Sequence, residues 1–342
     1  MKAVIFKEHG DIDQLIYIDV PEPKIGPDEI LVRVRACALN HLDIWTRLGM
    51  PGVPIPLPHI LGCDIAGEIS KIGANVKNLK ASERVVLAPG ISCGSCAWCL
   101  SGWDSLCARF QIIGLQVDGG YAEFVKVPAR NVIPVSSRLS WEEWAACPLV
   151  FLTAWHMLVT RAELKKGERV LIHAAGSGVG SAAIQIAKWI GAEVLTTIGS
   201  EEKEKCAKQL GANHVINYRK TDFSKEVRRL TENRGVEVVL EHTGTETFAQ
   251  SLATLSRKGR LVTCGVTSGA STSIDIRFLF IHQLSILGCY MGGCKELDRV
   301  LELIESGVFK PIVDSVFPLA DAKAAQKRML ERKNFGKIVL KT

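Results

Sequence analysis

Through about residue 135 the chain is a series of short apolar stretches, many of them alternating, separated by turn residues. "AVIF", "ILVRVRACA", "GEISKIG", "RVVLAP" and "AEFVKVP" carry the alternating or β-branched pattern of strands. Pro and Gly interrupt them at "VPEPKIGPDE" and "GMPGVPIPLPH". This pattern predicts a compact, mostly antiparallel β domain. From about residue 168 the rhythm becomes strand, helix, strand, helix: "RVLIHA", "VGSAAIQIAKWIG", "EVLTTI", "EEKEKCAKQLG", "HVINY", "FSKEVRRLTENRG", "VEVVLEHT", "TFAQSLATLSRKG", "RLVTCGV" and "LSILGCYM". Near-continuous Val/Ile/Leu runs are the mark of parallel strands buried on both faces. Six of them alternating with helices predict an α/β fold with a doubly wound, six-stranded parallel sheet. The amphipathic "ELDRVLELIESG" and the strand-like "KIVLKT" should return to the first domain. The expected boundaries are 1–150, 151–288 and 289–342, the first and last together forming one discontinuous β-rich domain.

The turn "AAGSGVG" lies between the first of these parallel strands and its helix. There backbone N–H groups and a helix dipole can face a pyrophosphate. Its three pattern slots hold Ala175, Ser177 and Gly180 rather than three glycines, so the strand and helix on either side carry the assignment. The next strand runs into Gly199 and Ser200, with Lys203 a turn later. A hydroxyl and a cation suit a ribose 2′-phosphate, whereas the carboxylate of an NAD site would repel it. The reading is NADP(H), with NAD(H) second.

Composition narrows the classes. A hydrophobic fraction of 47% and a charged fraction of 23% are those of an ordinary globular chain. The formal charge of +6 is spread out, so neither nucleic acid nor a membrane surface is an expected partner. No secretory signal or membrane span is visible, and the expected location is the cytoplasm. Among eleven cysteines, four cluster in "CGSCAWCLSGWDSLC" at residues 93–107. In a reducing compartment such a cluster points to metal before disulfides.

Taken together, "VRVRACALNHLD", "LPHILGCDIAGEISKIG", the four-cysteine loop, "GGYAEFVKVPARNVIPV", "PLVFLTAW", "AAGSGVGSAAIQIAK" and "NFGKIVL" resemble the medium-chain dehydrogenase/reductase superfamily, the zinc alcohol dehydrogenases and quinone oxidoreductases. The resemblance covers essentially the whole chain. It implies a GroES-like catalytic domain joined to a Rossmann domain, an active site in the cleft between them, and a homodimer or homotetramer. Matching positions imply cofactor contacts from Thr153, Ser177, Gly178, Val179 and Gly180. Ser200, Lys203 and Tyr218 match the surroundings of a 2′-phosphate. Thr243, Cys264, Gly265 and Val266 match the nicotinamide side, and Lys337 a basic position near the pyrophosphate. Cys93, Cys96, Cys99 and Cys107 match a structural zinc lobe at about 90–110. Four thiolates close the metal's coordination and leave no position for substrate.

The ligands of a catalytic zinc are not matched. Asn40, Cys63 and Leu149 stand at those three positions, and Leu42 and Trp45 replace the proton relay. A rearranged site from His41, His59, Cys63 and Asp64 is the competing expectation, and Asp43 is expected to orient backbone or the Cys63–Asp64 turn. The candidate catalytic residues are therefore Asn40, Asp43, Cys63 and Asp64. Without a Lewis acid, hydride transfer suits a conjugated enone or quinone better than an alcohol, with Asn40 or a water stabilising the enolate. The leading expectation is an NADPH-dependent quinone, enone or activated-carbonyl reductase acting on a small molecule. The alternatives are a zinc-dependent NAD(P) alcohol dehydrogenase or aldehyde reductase with a rearranged metal site, and a cofactor-binding protein without turnover. Trp45, Trp103, Trp155, Phe151 and Phe278 are candidates for an apolar pocket.

Overall fold

The alternating stretches of the first half form strands whose inward residues are closed from solvent, as in Glu29–Ala38, where Ile30, Leu31, Val32 and Val34 are buried. The computed structural model describes residues 1–342. The chain divides into one unit of residues 1–149 with 293–342 and a second of residues 150–292.

In the first unit a seven-stranded sheet runs in the order Val132–Pro134, Arg84–Leu87, Asp64–Ile72, Glu29–Ala38, Lys337–Lys341, Val313–Pro318, with Phe124–Pro128 also pairing Glu29–Ala38. All of its pairings are antiparallel except the last two strands of the order, which are parallel. The register decides the chemistry. Ala38 faces Asp64 on one side and Val339 on the other. The residues just past the end of one strand and at the start of its two neighbours are thereby brought together.

The second unit holds six parallel strands in the order His214–Asn217, Glu193–Ile198, Arg169–Ile172, Val236–Glu241, Leu255–Thr263, Ser285–Gly288. Leu171, Leu195, Val239 and Leu261, fully buried, form the centre of its core. The direction of strand order reverses at Arg169–Ile172, so the turn after that strand opens at the carboxyl edge where ligands of such sheets bind. One element is shorter than its pattern suggests. The helix within "TFAQSLATLSRKG" stops at Thr254, and Leu255 onward pairs as strand, with Leu255 opposite Val236 across a bulge. Ladder hydrogen bonds to a central strand override helix propensity there. The helix Cys294–Glu305 buries Leu297, Val300, Leu301 and Ile304, the expected i, i+3, i+4, i+7 face. No helix is long and apolar enough to cross a membrane.

Candidate active site and zinc lobe

Two residues beyond the strand Glu29–Ala38, Asn40 caps the helix His41–Leu48. Its backbone N–H donates to Asp43 Oδ2 at 2.8 Å. The side-chain amide donates to Asp64 Oδ2 at 2.8 Å and to Cys63 Sγ at 3.4 Å. Asp64 is fully buried, and its other oxygen accepts from the Leu149 backbone N–H at 2.7 Å. Lys337 completes the group: Nζ lies 2.6 Å from Asn40 Oδ1 and 2.8 Å from Asp64 Oδ2. Removing these charges from water is tolerable only because each is paired and hydrogen-bonded. Burial pushes the Cys63 thiol well above its usual range, so it stays protonated and uncharged. Gly62 permits this packing. Its φ is 100°, and a Cβ there would lie 2.6 Å from Cys37 Sγ and from the Tyr121 ring.

Asp43 also accepts from the Tyr121 hydroxyl at 3.1 Å. It orients Asn40 through the backbone and makes no bond to the Cys63–Asp64 turn. Desolvation raises its carboxyl from 3.8 to about 6. Between about pH 4 and 6 the folded chain therefore holds a proton that the unfolded chain has lost. That contribution is complete below about pH 4 and lost as pH rises through 6, about 3 kcal/mol in all. The difference in unfolding free energy between the wild type and Asp43→Asn is expected to change by that amount between pH 4 and 7, measured by urea melts at each pH.

In the second unit, Ser177 caps the helix Gly178–Ile190, its hydroxyl accepting from the Gly180 N–H at 2.8 Å. The N–H groups of Gly178 and Val179 have no acceptor within the chain and are the donors available to a phosphate. Gly180 is required by close approach: a Cβ there would meet the Ala174 carbonyl at 2.2 Å. A Cβ on Gly199 would lie 2.6 Å from the Tyr218 hydroxyl, so that phenol covers the turn leading into Ser200. Lys203 follows one turn on, its N–H bonded to the Ser200 carbonyl. Glu201, the first carboxylate after this strand, is paired with Lys220.

Thr243, Cys264, Gly265 and Val266 follow the carboxyl ends of two adjacent strands, and Val266 is exposed. Thr153 lies on the helix Pro148–Trp155. A buried network unforeseen in the sequence shapes the Thr243 loop. Glu241 accepts from the Thr243 N–H (2.6 Å), the Gly244 N–H (3.1 Å), Thr247 Oγ1 (2.9 Å) and Ser251 Oγ (2.7 Å). Ser251 in turn meets His173 Nε2 at 2.8 Å. Burial lowers the His173 imidazole to about 4, leaving it neutral at pH 7.

The thiols of Cys93, Cys96, Cys99 and Cys107 are unbridged, and their sulfurs all lie within 4.8 Å of one another. Cys93 and Cys99 are 3.8 Å apart, and Cys96 and Cys99 3.5 Å. Thiolates 2.3 Å from a tetrahedral zinc are about 3.8 Å apart, so the set fits that ion. Backbone N–H groups of Ser95 and Cys96 point at Cys93 Sγ and lower its thiol to about 5. The Arg109 N–H points at Cys107 Sγ. Asp104 ties the lobe down through Ser92 Oγ (2.8 Å) and the Cys294 N–H (3.0 Å).

Lys337, which the resemblance matches to a basic position near the pyrophosphate, has its ammonium paired with Asp64 and Asn40. His41, His59, Cys63 and Asp64 do not converge: the four-cysteine lobe is the one group of three or more metal-competent side chains. His59 faces Asp118 at 3.4 Å and packs edge-on against Phe6. Of the pocket aromatics, Phe151 is buried, Phe278 packs on the core of the second unit, and Trp155 packs at a tilt against Trp189.

Residues 26–137 match the family of the alcohol dehydrogenase GroES-like domain, and residues 178–306 that of the zinc-binding dehydrogenases. A solved NAD-dependent alcohol dehydrogenase is similar over 100% of both chains, with a TM-score of 0.96 and 44% identity. An NAD-dependent alcohol dehydrogenase of Sulfolobus acidocaldarius is 35% identical over 100% of this chain and 99% of its own. Quinone oxidoreductase 1 of Escherichia coli is 31% identical over 98% of each chain. Built on the same two domains and matched from end to end by such enzymes, the chain belongs to the medium-chain dehydrogenase/reductase superfamily and is an oxidoreductase.

Proposed function

We propose that this oxidoreductase uses NADPH to reduce quinones, enones and other activated carbonyl compounds, and that its zinc is structural. The observation that carries the reading is the Lys337 ammonium, 2.6 Å from Asn40 Oδ1 and 2.8 Å from Asp64 Oδ2. A divalent cation drawing on those oxygens would meet a fixed positive charge, and an amide, a protonated thiol and a leucine stand where the catalytic ligands are matched. Oxidising a simple alcohol requires loss of its proton, a step that a metal eases. A polarised double bond needs no such step. NADPH, when bound, supplies the hydride. The chain's own part is to hold the phosphates at the N–H groups of Gly178 and Val179, and to hold the developing oxygen charge.

For the cofactor, support comes from Ser200, Lys203 and Tyr218 around the turn after Glu193–Ile198, where the first carboxylate, Glu201, is paired with Lys220. Lys203→Ala is expected to cut the NADPH/NADH preference in kcat/KM by about tenfold, the worth of one charge-assisted contact. Unchanged discrimination would remove the argument. The names of the alcohol dehydrogenase relatives favour a second reading, an NAD(P)-dependent alcohol dehydrogenase or aldehyde reductase. The two are separated by assaying p-benzoquinone, cyclohexenone and simple aldehydes and alcohols before and after metal chelation. NADPH-dependent enone or quinone turnover that survives chelation supports the proposal. Alcohol oxidation that depends on a second zinc per chain would sink it.

We also propose that the chain self-associates as a homodimer or homotetramer. The edge strand Ser285–Gly288 pairs on one side alone, and Ile276, Phe280, Ile281 and Tyr290 near it are exposed. An exposed apolar edge of this kind pairs readily with a second copy. Light scattering should give at least twice the chain mass, and Ile286→Lys should lower it.

A further inference from the structure

A dinucleotide held at the Gly178 and Val179 N–H groups, with one ribose toward Ser200, has to lay its other half across the strand Arg169–Ile172. The strands on that side are Val236–Glu241 and Leu255–Thr263, and Thr243 and Cys264 to Val266 follow their carboxyl ends. Glu241 ends the first of them and is fully buried. Its Oε1 accepts from the N–H groups of Thr243 (2.6 Å) and Gly244 (3.1 Å), and its Oε2 from Ser251 Oγ (2.7 Å). An ionised carboxylate only accepts, so Ser251 points its hydrogen at Glu241 and receives one from His173 Nε2 at 2.8 Å. With the imidazole neutral, those partners assign its tautomer, and Nδ1 accepts from Thr197 Oγ1 at 3.3 Å. Thr197 Oγ1 in turn accepts from the Ala174 N–H at 2.9 Å. One chain of hydrogen bonds thus runs from Ala174, at the start of the phosphate turn, through Thr197, His173, Ser251 and Glu241 to Thr243. The loop after Cys264 leans on the same place. The Thr243 carbonyl accepts from Ser268 N–H (2.7 Å) and Oγ (2.9 Å), and the Thr245 N–H donates to the Gly269 carbonyl at 3.2 Å. Gly244, at φ 98°, has no room for a Cβ, which would meet that carbonyl at 2.4 Å.

We propose that Glu241 is a positioning residue for the nicotinamide half of the cofactor, and that the chain from Ala174 to Glu241 locks the loops of that half to the turn that holds the phosphates. The inference rests on the dinucleotide reading of that turn and is independent of which substrate is reduced. Backbone bonds to a buried carboxylate do not compete with water, so the Thr243 turn is set before a ligand arrives. A loop ordered in advance loses little entropy on binding. It also holds the ring in a fixed relation to the pyrophosphate, and hydride transfer depends on such alignment. Glu241 touches neither cofactor nor substrate. Its bonds go to Thr243, Gly244, Thr247 and Ser251, on the far side of the phosphate turn from Ser200. Its removal is therefore felt by the nicotinamide half and not by the adenosine half.

The test compares the full chain with Glu241→Met, which keeps the side chain's length without an acceptor, and Glu241→Gln, whose amide oxygen can still take both N–H groups. Each is titrated calorimetrically with NADPH and NADH, and with 2′-phospho-ADP-ribose and ADP-ribose, which lack the nicotinamide. Glu241→Met should weaken the dinucleotide that wild type prefers roughly 10–100-fold, as for loss of a charge-assisted hydrogen bond, while the matching ADP-ribose stays within about threefold. Glu241→Gln should recover most of the difference. The fluorescence lifetime of the bound reduced nicotinamide should shorten in Glu241→Met as the ring gains freedom. Without cofactor, the Thr243 and Gly244 amides should exchange at least about tenfold faster in Glu241→Met than in Glu241→Gln. If Glu241→Met shows no cooperative melting transition, Glu241→Asp replaces it with the same result expected, its carboxylate being one methylene short of the two N–H groups. Unchanged dinucleotide affinity and lifetime in the folded variant overturn the proposal. So does an equal loss of dinucleotide and ADP-ribose, which would make Glu241 a support of the whole domain and leave the dinucleotide reading intact. A wild type that binds neither ligand removes that reading, and this inference with it. Ser251→Ala cuts the chain between His173 and Glu241 and should weaken the dinucleotide about 3–10-fold with ADP-ribose unchanged. Wild-type affinity in that variant would overturn the lock to the phosphate turn.

Discussion

Asp64→Ala is expected to destabilise the GroES-like domain by about 3–5 kcal/mol, the cost of leaving a buried charge without its partner. The ordinary value for an ion pair does not apply. Exposed pairs contribute about 0–1 kcal/mol because water screens them and competes for both partners. Here Asp64 and Lys337 are 0% and 4% exposed, so removing the carboxylate strands an ammonium in the interior. It also leaves the Leu149 N–H and the Asn40 amide without their acceptor. Asp64→Asn should cost less than Asp64→Ala, because an amide oxygen can still accept from Leu149. Lys337→Met added to Asp64→Ala should recover much of the loss, since the pair is then absent altogether. Urea unfolding of the wild type, both singles and the double gives the coupling energy directly, and a coupling below about 1 kcal/mol would place the pair with weak surface contacts.

Losing the lobe metal is the second large effect. With Cys93→Ser, zinc measured by elemental analysis should fall from about one per chain to nearly none, because three thiolates no longer close the tetrahedron. Structural zinc contributes on the order of 10 kcal/mol to a small site's folding, far more than the few side chains of this lobe can replace. The loop holds little else of its own: Trp98, Leu100 and Leu106 are exposed, and its secondary structure is a helix of four residues and a short 3-10 turn. The expected result is local unfolding, with rapid proteolysis between residues 93 and 107 and ready alkylation of the remaining thiols. The Rossmann domain should keep its affinity for a nicotinamide dinucleotide. Wild-type zinc retained in the variant, or a lobe equally protected without zinc, would contradict the assignment.

Several features of this site were legible in the residues because their physics is local. The lobe is one: four thiols fall within fifteen residues, and their spacing alone lets them meet around one ion. The dinucleotide turn is another, since a strand, a tight turn and a helix lie within one continuous stretch. Unbroken Val/Ile/Leu runs have no polar face to offer water, which is why the parallel sheet could be read from pattern. By contrast, the helix end in "TFAQSLATLSRKG" depended on a ladder to Val236, which local pattern does not contain.

Lys337 shows where reading by position runs out. Its match to a basic position near a pyrophosphate said that a cation was wanted, and nothing in the sequence said which way it points. Asn40 and Lys337 are 297 residues apart, and they meet because Ala38 pairs with both Asp64 and Val339. A shift of one residue in either ladder would turn those side chains to the opposite face. The same holds for Glu241, whose partners His173 and Ser251 come from a different strand and from a helix. The sequence by itself determined the two domain types and the four-thiol lobe, because hydrophobic pattern and short spacing suffice for each. Only the tertiary structure decided that a lysine stands at the heart of the site, because sheet register, and no local propensity, brought its charge to Asp64.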